Sequence, residues 1–313
     1  MKKAIISGSA GFVGSKLVEV LLKNNVEVLA LGRKPFNEVD PSRLSTNSKL
    51  TYLKIDMSES KLLPEKISEA GWTPGNDCVF YNFAWWGVDK VSDFNLKAQM
   101  NNAIWAGDAL AASSNLKCNR FIHVGTMEEP IGRAYLDLDH KNDSEYNRHI
   151  VYALAKIASR NVIKVLAKKY DIDAIIATNS HVMGPNDGKD SFLQETLIKL
   201  KNKKEELIFS TGEQLFDVIS VSDCAEAYFL IGKSGLPGSE YRIGSGEARP
   251  LKEYVEIMAE MYPSEQKLQF GKFAYNDVSL KMKDFSIDLL REHTGFEPKQ
   301  TYKDIVKELY QTL

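Results

Sequence analysis

The chain has 313 residues, of which 43% are hydrophobic and 26% charged, a composition typical of a globular protein with a sizeable core. The formal net charge of −2 at pH 7 gives no basis for binding nucleic acid or an anionic membrane. No stretch is long enough for a membrane span, and glycines and serines cut the first apolar run too short for a signal peptide. The widely separated Cys78, Cys118 and Cys224 indicate reduced thiols and a cytoplasmic location.

The first stretch predicts a phosphate-binding turn between a strand and a helix. Ala4–Ile6 is a short apolar run typical of a buried strand, and Phe12–Leu22 has apolar residues at helical spacing. Gly8, Gly11 and Gly14 lie between or at the start of these elements, where glycine permits a tight turn and close approach of a pyrophosphate. The helix N-terminus offers free N–H groups and a partial positive charge, so a bound dinucleotide is expected here.

Strands and helices then alternate. The second strand is followed by a polar loop, Pro35–Ser48, and the alternation of strands and helices then continues to about residue 178. The predicted strands are Val26–Gly32, Leu50–Ile55, Cys78–Phe83, Arg120–Val124 and Ala174–Ala177, and the predicted helices are Ser58–Ala70, Phe94–Ser114 and His149–Tyr170. This alternation predicts an α/β fold with a Rossmann-type, doubly wound parallel sheet over residues 1–178.

Residues 179–313 predict a smaller α/β part that interleaves with the first. The expected elements are helix Thr196–Glu206, strand Val218–Val221, helix Asp223–Ile231 capped by Ser222 or Asp223, strand Glu240–Ile243, and helices Leu251–Met261 and Tyr302–Leu313. Residues 215–245 are expected to return to the large sheet. A substrate should therefore lie between the two parts, at the carboxyl ends of the parallel strands.

A tyrosine and a lysine lie one helical turn apart at the start of a long helix. Tyr152 and Lys156 are four residues apart, so they share one helix face. An ammonium close to a phenol favours the phenolate and is expected to lower its pKa, which suits proton exchange with a hydroxyl or carbonyl. Thr126 and Glu128 end the preceding strand; the threonine can bind a substrate oxygen, and the glutamate can act as a general base or contact a sugar.

In order and spacing these residues resemble the extended short-chain dehydrogenase/reductase family of nucleotide-sugar epimerases, dehydratases and reductases. The resemblance extends over nearly the whole chain. Its motifs are Gly8, Gly11 and Gly14, then Asp56, Asn82-Phe83-Ala84, Asn102, Thr126, Tyr152 and Lys156, Gly184-Pro185 and Val221-Ser222-Asp223. It implies an NAD(P)-dependent enzyme of a nucleotide-linked sugar.

The resemblance assigns roles to the matching positions. Tyr152 would be the catalytic acid/base, Lys156 would hold the nicotinamide ribose, and Thr126 would bind the reacting oxygen. Hydride would move between nicotinamide and a sugar carbon, most often C4. The remaining positions expected to bind or support the cofactor are Gly8, Gly11, Phe12, Val13, Gly14, Asp56, Met57, Ala84 and Asn102.

The end of the second strand favours NADP over NAD. NAD-selective enzymes usually place an acid there for the ribose 2′-hydroxyl. This chain has Arg33 and Lys34 after Gly32, and a guanidinium suits a 2′-phosphate. NADP(H) is therefore the expected cofactor. The alternative is that Arg33 and Lys34 are solvated loop cations and that the cofactor is NAD.

Thr126-Met127-Glu128 bears on the reaction. Dehydratases of this family commonly have Thr-Asp-Glu there, and Met127 cannot donate the proton expected of that aspartate. The run from Gly125 to Glu129 is more similar to Gly-Ser-Ser-Glu-Glu of GDP-4-keto-6-deoxymannose reductases. A 4-keto-6-deoxyhexose reductase is therefore predicted, with 4-epimerase as the alternative. A reductase of a non-nucleotide carbonyl and a non-catalytic dinucleotide-binding protein stay open.

Several positions depart from the family pattern around the substrate. His181, near Asn179, replaces a family asparagine, and Phe216 replaces an arginine that often binds the diphosphate. The positive charge for the diphosphate must then come from another residue, and the candidates are Arg249, Lys189 and Lys267. Trp85 and Trp86 either stack on a sugar ring or fill core.

The family's quaternary structure gives one further expectation. Its members often form dimers through two long helices, here Phe94–Ser114 and His149–Tyr170. A homodimer is therefore predicted. The five histidines show no metal-binding spacing, so no catalytic metal is expected.

Overall fold

A seven-stranded parallel sheet forms the centre of the molecule in the computed structural model, which describes residues 1–87, 95–137, 149–187, 191–202, 206–263, 267–275 and 278–313. Its strands are β1 (Lys3–Ser7), β2 (Glu27–Gly32), β3 (Leu50–Lys54), β4 (Cys78–Asn82), β5 (Arg120–Thr126), β6 (Asp173–Asn179) and β11 (Glu240–Ile243). Their order across the sheet is β3-β2-β1-β4-β5-β6-β11, with every neighbouring pair parallel. The order reverses between β1 and β4, which opens a crevice at the carboxyl ends of the strands.

Helices cover both faces of this sheet, as the doubly wound prediction requires. They are α1 (Phe12–Lys23), α2 (Leu63–Glu69), α3 (Leu96–Asn115), α4 (Glu128–Leu136), α5 (Ile150–Tyr170) and α7 (Val221–Ser234). Leu17 of α1 and Tyr228 of α7 are buried in the core on one face. Ile67, Leu110 and Ile163 of α2, α3 and α5 are buried in a separate core on the other. Burial on both faces explains why strands such as β4 are apolar runs without alternation.

Most of the remaining described elements surround a third core. Three strand pairs are formed by β7 (His181–Met183) with β10 (Val218–Ser220), β9 (Leu215–Phe216) with β12 (Arg249–Pro250), and β8 (Leu207–Ile208) with β13 (Leu268–Gln269). The helices are α6 (Phe192–Asn202), α8 (Leu251–Met261) and α10 (Tyr302–Thr312), whereas α9 (Asp288–Thr294) packs against α7 and β11 and adds Leu290 to the first core. Leu197, Tyr254 and Val306 pack together from α6, α8 and α10. A domain boundary at residue 178 stays a prediction.

Two helices begin at other residues than predicted, because their first N–H groups are capped by the polar side chains of Asp56 and Ser220. The predicted Ser58–Ala70 helix opens as a 3-10 helix, Met57–Leu62, where Asp56 accepts the Ser58 N–H at 2.9 Å before α2 continues. Ser220, and neither of the predicted caps, precedes α7: its Oγ accepts the Asp223 N–H at 2.9 Å. Capping therefore depends on which hydroxyl or carboxylate faces the free N–H groups.

Further differences concern α4, α6 and α9. Helices α4 and α9 were not predicted, and neither were the short strands β7, β8, β9, β12 and β13. The described part of α6 spans Phe192–Asn202, whereas the sequence predicted Thr196–Glu206. Phe94, the predicted start of α3, lies outside the described residues. In the described part of the chain no helix has the length and apolarity to cross a bilayer, and no group of three or more metal-ligating side chains is arranged around a metal site.

Candidate active site

The turn after β1 brings three backbone segments into close contact. Gly8 has a φ of +70°, and a Cβ there would lie 2.9 Å from the Ala84 nitrogen. A Cβ on Gly14 would lie 2.3 Å from the Gly8 oxygen, and one on Gly11 would lie 3.1 Å from the same oxygen. At positions 8 and 14, only glycine fits without backbone movement. The turn thus leads the chain directly into the N-terminus of α1, where the first N–H groups are free for an anion.

A cleft of about 740 Å³ lies over this turn at the carboxyl ends of the strands. Its size and concave shape are those of a cofactor pocket. Together with the glycine turn, this arrangement fits a dinucleotide. The predicted residues that line it are Gly8, Gly11, Phe12, Val13, Gly14, Arg33, Asp56, Met57, Ala84, Trp85, Trp86 and Asn179.

The end of this cleft beyond β2 carries both signs of charge. Arg33 and Lys34 line it, as predicted, but so do Glu38 and Asp40 from the following loop. The strand end itself has no acid, as predicted, but the path of the following loop brings these two carboxylates to the cleft. The Asp40 carboxylate accepts the Ser42 N–H at 2.9 Å, so it is already engaged within its own turn.

Arg43 also lines the cleft and was not predicted. Its guanidinium donates a hydrogen bond to the Asn186 carbonyl and lies 6.0 Å from the centre of the Phe12 ring. It therefore connects the loop after β2 with the segment after β7, above the N-terminus of α1. Nothing local in the sequence indicates this contact, since its two partners are 143 residues apart.

A second cavity of about 330 Å³ adjoins the cleft, and Phe83, Trp85, Val124 and Asn179 line both. The two spaces therefore meet at the ends of β4, β5 and β6. The second cavity contains the residues predicted to do the chemistry. Among those lining it are Thr126, Met127, Glu128, Tyr152, Lys156, His181 and Phe216.

Tyr152 and Thr126 both line the second cavity, and the Thr126 hydroxyl is near enough to influence the phenol. Burial raises the pKa of Tyr152; the Thr126 hydroxyl opposes the rise, whereas Glu128 and Glu129 add to it. The prediction that Lys156 lowers this pKa is therefore wrong for this structure. The Lys156 ammonium lies 6.0 Å from the centre of the Tyr152 ring, and burial dominates. The phenol is protonated at neutral pH.

Lys156 is buried between strand β5 and an indole. Its Nζ donates to the Val124 carbonyl at 3.0 Å and lies 3.8 Å from the centre of the Trp85 ring. Burial lowers the pKa of Lys156 to about 7; Glu129 opposes this shift and Arg160 adds to it. The amine is therefore poised between its charged and neutral forms near neutral pH.

Two consecutive glutamates at the start of α4 have different surroundings. Glu128 lines the second cavity, and its Oε1 lies 3.1 Å from His149 Nδ1. Glu129 is only 1% exposed; its Oε1 accepts the Thr126 N–H at 2.9 Å, and its other oxygen pairs with Arg160. Sequence reasoning missed Glu129 and Arg160. The spacing of Thr126 and Glu129 matches a capping box and is the signal that identifies the glutamate.

A chain of buried polar groups joins the glycine turn to α5. Ser7 Oγ accepts the Ala84 N–H at 3.2 Å and donates to Asn82 Oδ1 at 2.8 Å. Asn82 Nδ2 then contacts His123 Nδ1 at 3.1 Å, so His123 Nε2 carries the proton toward Ser159 Oγ at 2.9 Å. Burial, with Lys156 and Arg160 nearby, holds the pKa of His123 well below its usual value. The neutral ring therefore fixes α5 relative to the strand ends.

Two predicted site residues line neither cavity. Asn102 is fully buried, accepts the Trp86 N–H at 2.7 Å and donates to the Trp86 carbonyl at 3.1 Å, so it holds that loop in place. Arg249 pairs with Glu247 at 3.0 Å and lies directly opposite Phe216 in the β9–β12 ladder. Lys189, another predicted source of charge, lies outside the described residues.

Asn179 and His181 reach the cavities from the end of β6 and from β7. Asn179 Oδ1 accepts the Tyr228 hydroxyl at 2.7 Å, which fixes this amide beside both cavities. The His181 ring lies 5.1 Å from the Phe216 ring, and its Nε2 has no partner among the described residues. Burial lowers the pKa of His181 to about 4, so its ring is neutral above that pH.

Comparison with known proteins agrees with this geometry. Residues 4–244 match the model of a family described as the NAD dependent epimerase/dehydratase family. The chain belongs to this family. It is therefore an enzyme, and the non-catalytic alternative is excluded.

Relatives of this family member are similar along nearly their whole length. CDP-abequose synthase of Salmonella typhimurium is 24% identical over 99% of this chain and 97% of its own. Human dTDP-D-glucose 4,6-dehydratase is 22% identical over 98% of this chain and 88% of its own. The solved UDP-glucuronic acid 4-epimerase of Bacillus cereus, in complex with UDP-glucuronic acid and NAD, superposes with a TM-score of 0.76 at 18% identity, covering 99% of this chain and 98% of that one. This likeness confirms the Rossmann-type fold.

Proposed function

We propose that this enzyme reduces the C4 carbonyl of a nucleotide-linked 4-keto-6-deoxyhexose with NADPH. The observation that carries the proposal is that Thr126, Tyr152 and Lys156 line one cavity, which adjoins the dinucleotide cleft. The substrate class comes from the family resemblance and from relatives whose names contain CDP-, dTDP- and UDP-linked compounds.

The glycine turn and the N-terminus of α1 would hold the cofactor diphosphate, while Lys156 would contact the nicotinamide ribose. When bound, the nicotinamide supplies the hydride. Trp85 and Val124 line both cavities, so they mark the boundary that the nicotinamide end would reach. The substrate carbonyl would then lie on the Thr126 side of that boundary.

The protonation state of Tyr152 suits the reductive direction. Because its pKa is raised, the phenol keeps its proton at neutral pH and can donate it to the oxygen that becomes a hydroxyl. Thr126 would bind that oxygen, and the Glu129 contact to the Thr126 N–H keeps the strand end in place. Tyr152 Oη would give its proton to the carbonyl oxygen, which becomes the hydroxyl oxygen of the product.

The wall of the cavity opposes a dehydratase reaction. Met127 lines the second cavity at the position where the dehydratases of this family commonly have an aspartate. A thioether has no proton to donate to a leaving hydroxyl. Similarity to dTDP-D-glucose 4,6-dehydratase therefore supports the family and the fold, and we do not extend its reaction to this chain.

A 4-epimerase is the second candidate, and the structural likeness to UDP-glucuronic acid 4-epimerase favours it. An epimerase keeps its cofactor through both half-reactions, whereas a reductase releases it after each turnover. The distinguishing experiment incubates purified enzyme with NADPH and a panel of CDP-, dTDP-, GDP- and UDP-4-keto-6-deoxyhexoses, and separately, without added cofactor, with the corresponding nucleotide-linked hexoses that carry a C4 hydroxyl. Stoichiometric NADPH consumption with a keto sugar supports reduction; conversion of a hexose to its C4 epimer by enzyme that copurifies with NAD supports epimerisation and overturns our proposal.

Arg249 is our proposed partner for the substrate diphosphate. In the antiparallel β9–β12 pair it lies opposite Phe216, which stands where the family often has the diphosphate-binding arginine. Side chains of opposed residues project from the same face of a ladder. The positive charge would therefore be supplied from the neighbouring strand. If a non-nucleotide carbonyl is the substrate, nucleoside diphosphates will not raise the melting temperature of the protein.

A further inference from the structure

We propose that Trp85 is a positioning residue, whose ring face holds the Lys156 ammonium by a cation–π contact where the two cavities meet. This inference rests on the proposed function only for its catalytic consequence. Trp85 follows β4 and is 9% exposed. It lines both the dinucleotide cleft and the second cavity. Its ring is therefore part of the wall that any nicotinamide–substrate pair would share.

The distance between ammonium and ring defines the contact. Lys156 Nζ lies 3.8 Å from the centre of the Trp85 ring, well within the range of about 6 Å for cation–π attraction. The same ammonium lies 6.0 Å from the centre of the Tyr152 ring. Of these two aromatic residues, Trp85 provides the close face.

The indole is held in this orientation from its far side. Trp85 Nε1 donates to Gln99 Oε1 at 2.9 Å, and Gln99 is 2% exposed on α3. The Trp85 ring also packs perpendicular to Tyr152, with ring centres 6.0 Å apart. Rotation of the indole would break the first contact and disturb the second. The ring is thus preorganised for Lys156 before any ligand binds.

The surroundings of Lys156 explain why the ring matters. Glu129 of α4 is the facing acid, whereas Arg160 of α5 opposes the ammonium and His123 of β5 is a neutral neighbour. Tyr152, on the same face of α5, is protonated and contributes no charge. Burial removes water from the ammonium and so favours the neutral amine. The quadrupole of the indole ring stabilises the charged form and replaces part of the lost hydration.

This contact bears on the two interpretations of Trp85. The face of Trp85 toward Lys156 is occupied and unavailable for stacking on a sugar. Trp86, by contrast, is 43% exposed and lines only the dinucleotide cleft. The consequence for catalysis is that Trp85 favours the charged form of Lys156 and holds it at the boundary between the cavities.

The test measures the pKa of Lys156 directly in the intact, ligand-free protein. Competitive acetylation with isotope-coded anhydride, followed by peptide mass spectrometry, gives the labelling rate of Lys156 across a pH series. In Trp85→Leu the pKa of Lys156 should fall by about one unit, with a smaller fall in Trp85→Phe. Trp86→Leu is the matched control and should leave it unchanged. An unchanged value in folded Trp85→Leu overturns the proposal.

Fluorinated tryptophans separate electrostatics from packing. Biosynthetic replacement of indole by its mono- and difluoro derivatives weakens the ring quadrupole with little change in volume. In a Trp86→Phe background the pKa of Lys156 should fall stepwise as the number of fluorine atoms on the indole rises. When Trp85→Phe is added to that background, fluorination should leave the pKa unchanged. A flat response means that Trp85 only fills space. If the response is stepwise while Tyr152→Phe stays fully active, the inference holds and the proposed function fails.

Discussion

At the residue scale, burial sets the chemistry of the site more strongly than proximity of charges. Tyr152 and Lys156 share a helix face, yet the tyrosine keeps a raised pKa and the lysine a lowered one. Both shifts disfavour the charged form, as desolvation does in general. The pair therefore starts from a neutral phenol, which is the form that can donate a proton during reduction.

Removing the phenolic hydroxyl tests this role. Tyr152→Phe should lower kcat by about 100-fold or more, because the proton donor is lost, while NADPH binding measured by fluorescence changes little. Tyr262→Phe, which changes a tyrosine of the third core, is the control and should behave as the wild type. Near-normal turnover of Tyr152→Phe would contradict the mechanism.

Arg33 tests the proposed NADP preference. We expect Arg33→Ala to raise the KM for NADPH by about tenfold or more and to leave that for NADH nearly unchanged, since only the former has a 2′-phosphate for the guanidinium. Initial rates with both cofactors measure this. Wild-type enzyme that uses NADH as well as NADPH would show that Glu38 and Asp40 dominate this end of the cleft.

His181 predicts a pH dependence of stability. Its pKa is lowered from 6.5 to about 4 in the folded chain, so the unfolded chain binds more protons between these values. The free energy of unfolding therefore falls as the pH falls from 6.5 toward 4, by up to about 3 kcal/mol from this group. Urea unfolding of His181→Asn should show a correspondingly weaker loss over that window; an identical loss would contradict the assignment.

At the element scale, α4 connects the end of β5 to α5. Its Glu129 contacts both the Thr126 N–H and Arg160 of α5, and Arg160 also donates to Thr178 of β6 at 2.7 Å. The ion pair and its hydrogen bonds thereby join four elements around the second cavity: β5, α4, α5 and β6. The Ser7–Asn82–His123–Ser159 chain makes a parallel connection from the glycine turn.

Two partners of Arg160 provide a matched comparison. Glu129→Gln should lower the free energy of unfolding by about 3 kcal/mol, because it leaves a buried guanidinium without its enclosed carboxylate. Glu240→Gln removes a partner whose side chain is 41% exposed and should cost less than about 1 kcal/mol. Denaturant titrations of both variants measure the difference. Equal losses in the free energy of unfolding would show that the buried Glu129–Arg160 pair contributes no more than the exposed Glu240–Arg160 pair.

At the scale of the whole molecule, the outer surface of α3 and α5 remains apolar. These helices pack against each other, yet Ile104 is 59% exposed, Val162 38% and Val165 67%. Exposed apolar side chains gathered on one helix pair are typical of an interface. We propose that the enzyme is a homodimer through this surface, as the family resemblance implies.

A charge on this surface should separate the subunits. In a two-fold interface Val165→Glu places two carboxylates in the same buried region, so light scattering after size exclusion should show a monomer with an unchanged circular dichroism spectrum. Leu289→Glu is the control, since Leu289 is 42% exposed on α9, away from these helices. Wild-type protein that is already monomeric would contradict the proposal.

The sequence by itself determined the parallel sheet and the glycine turn, and it predicted which side chains react. These features depend on local signals: apolar runs, glycine spacing, and the four-residue separation of Tyr152 and Lys156. Local patterns therefore predicted the chemistry of the site and the order of its elements.

Only the tertiary structure decided the electrostatics. Glu129 with Arg160, and Trp85 with Lys156, meet across 31 and 71 positions of the chain, and Glu38 reaches the cleft through the path of a loop. Desolvation likewise depends on everything that packs around a group, so the pKa of Tyr152 moved opposite to the prediction from its neighbour alone. Residue types and spacing determine which groups are present; packing determines which of them carry charge.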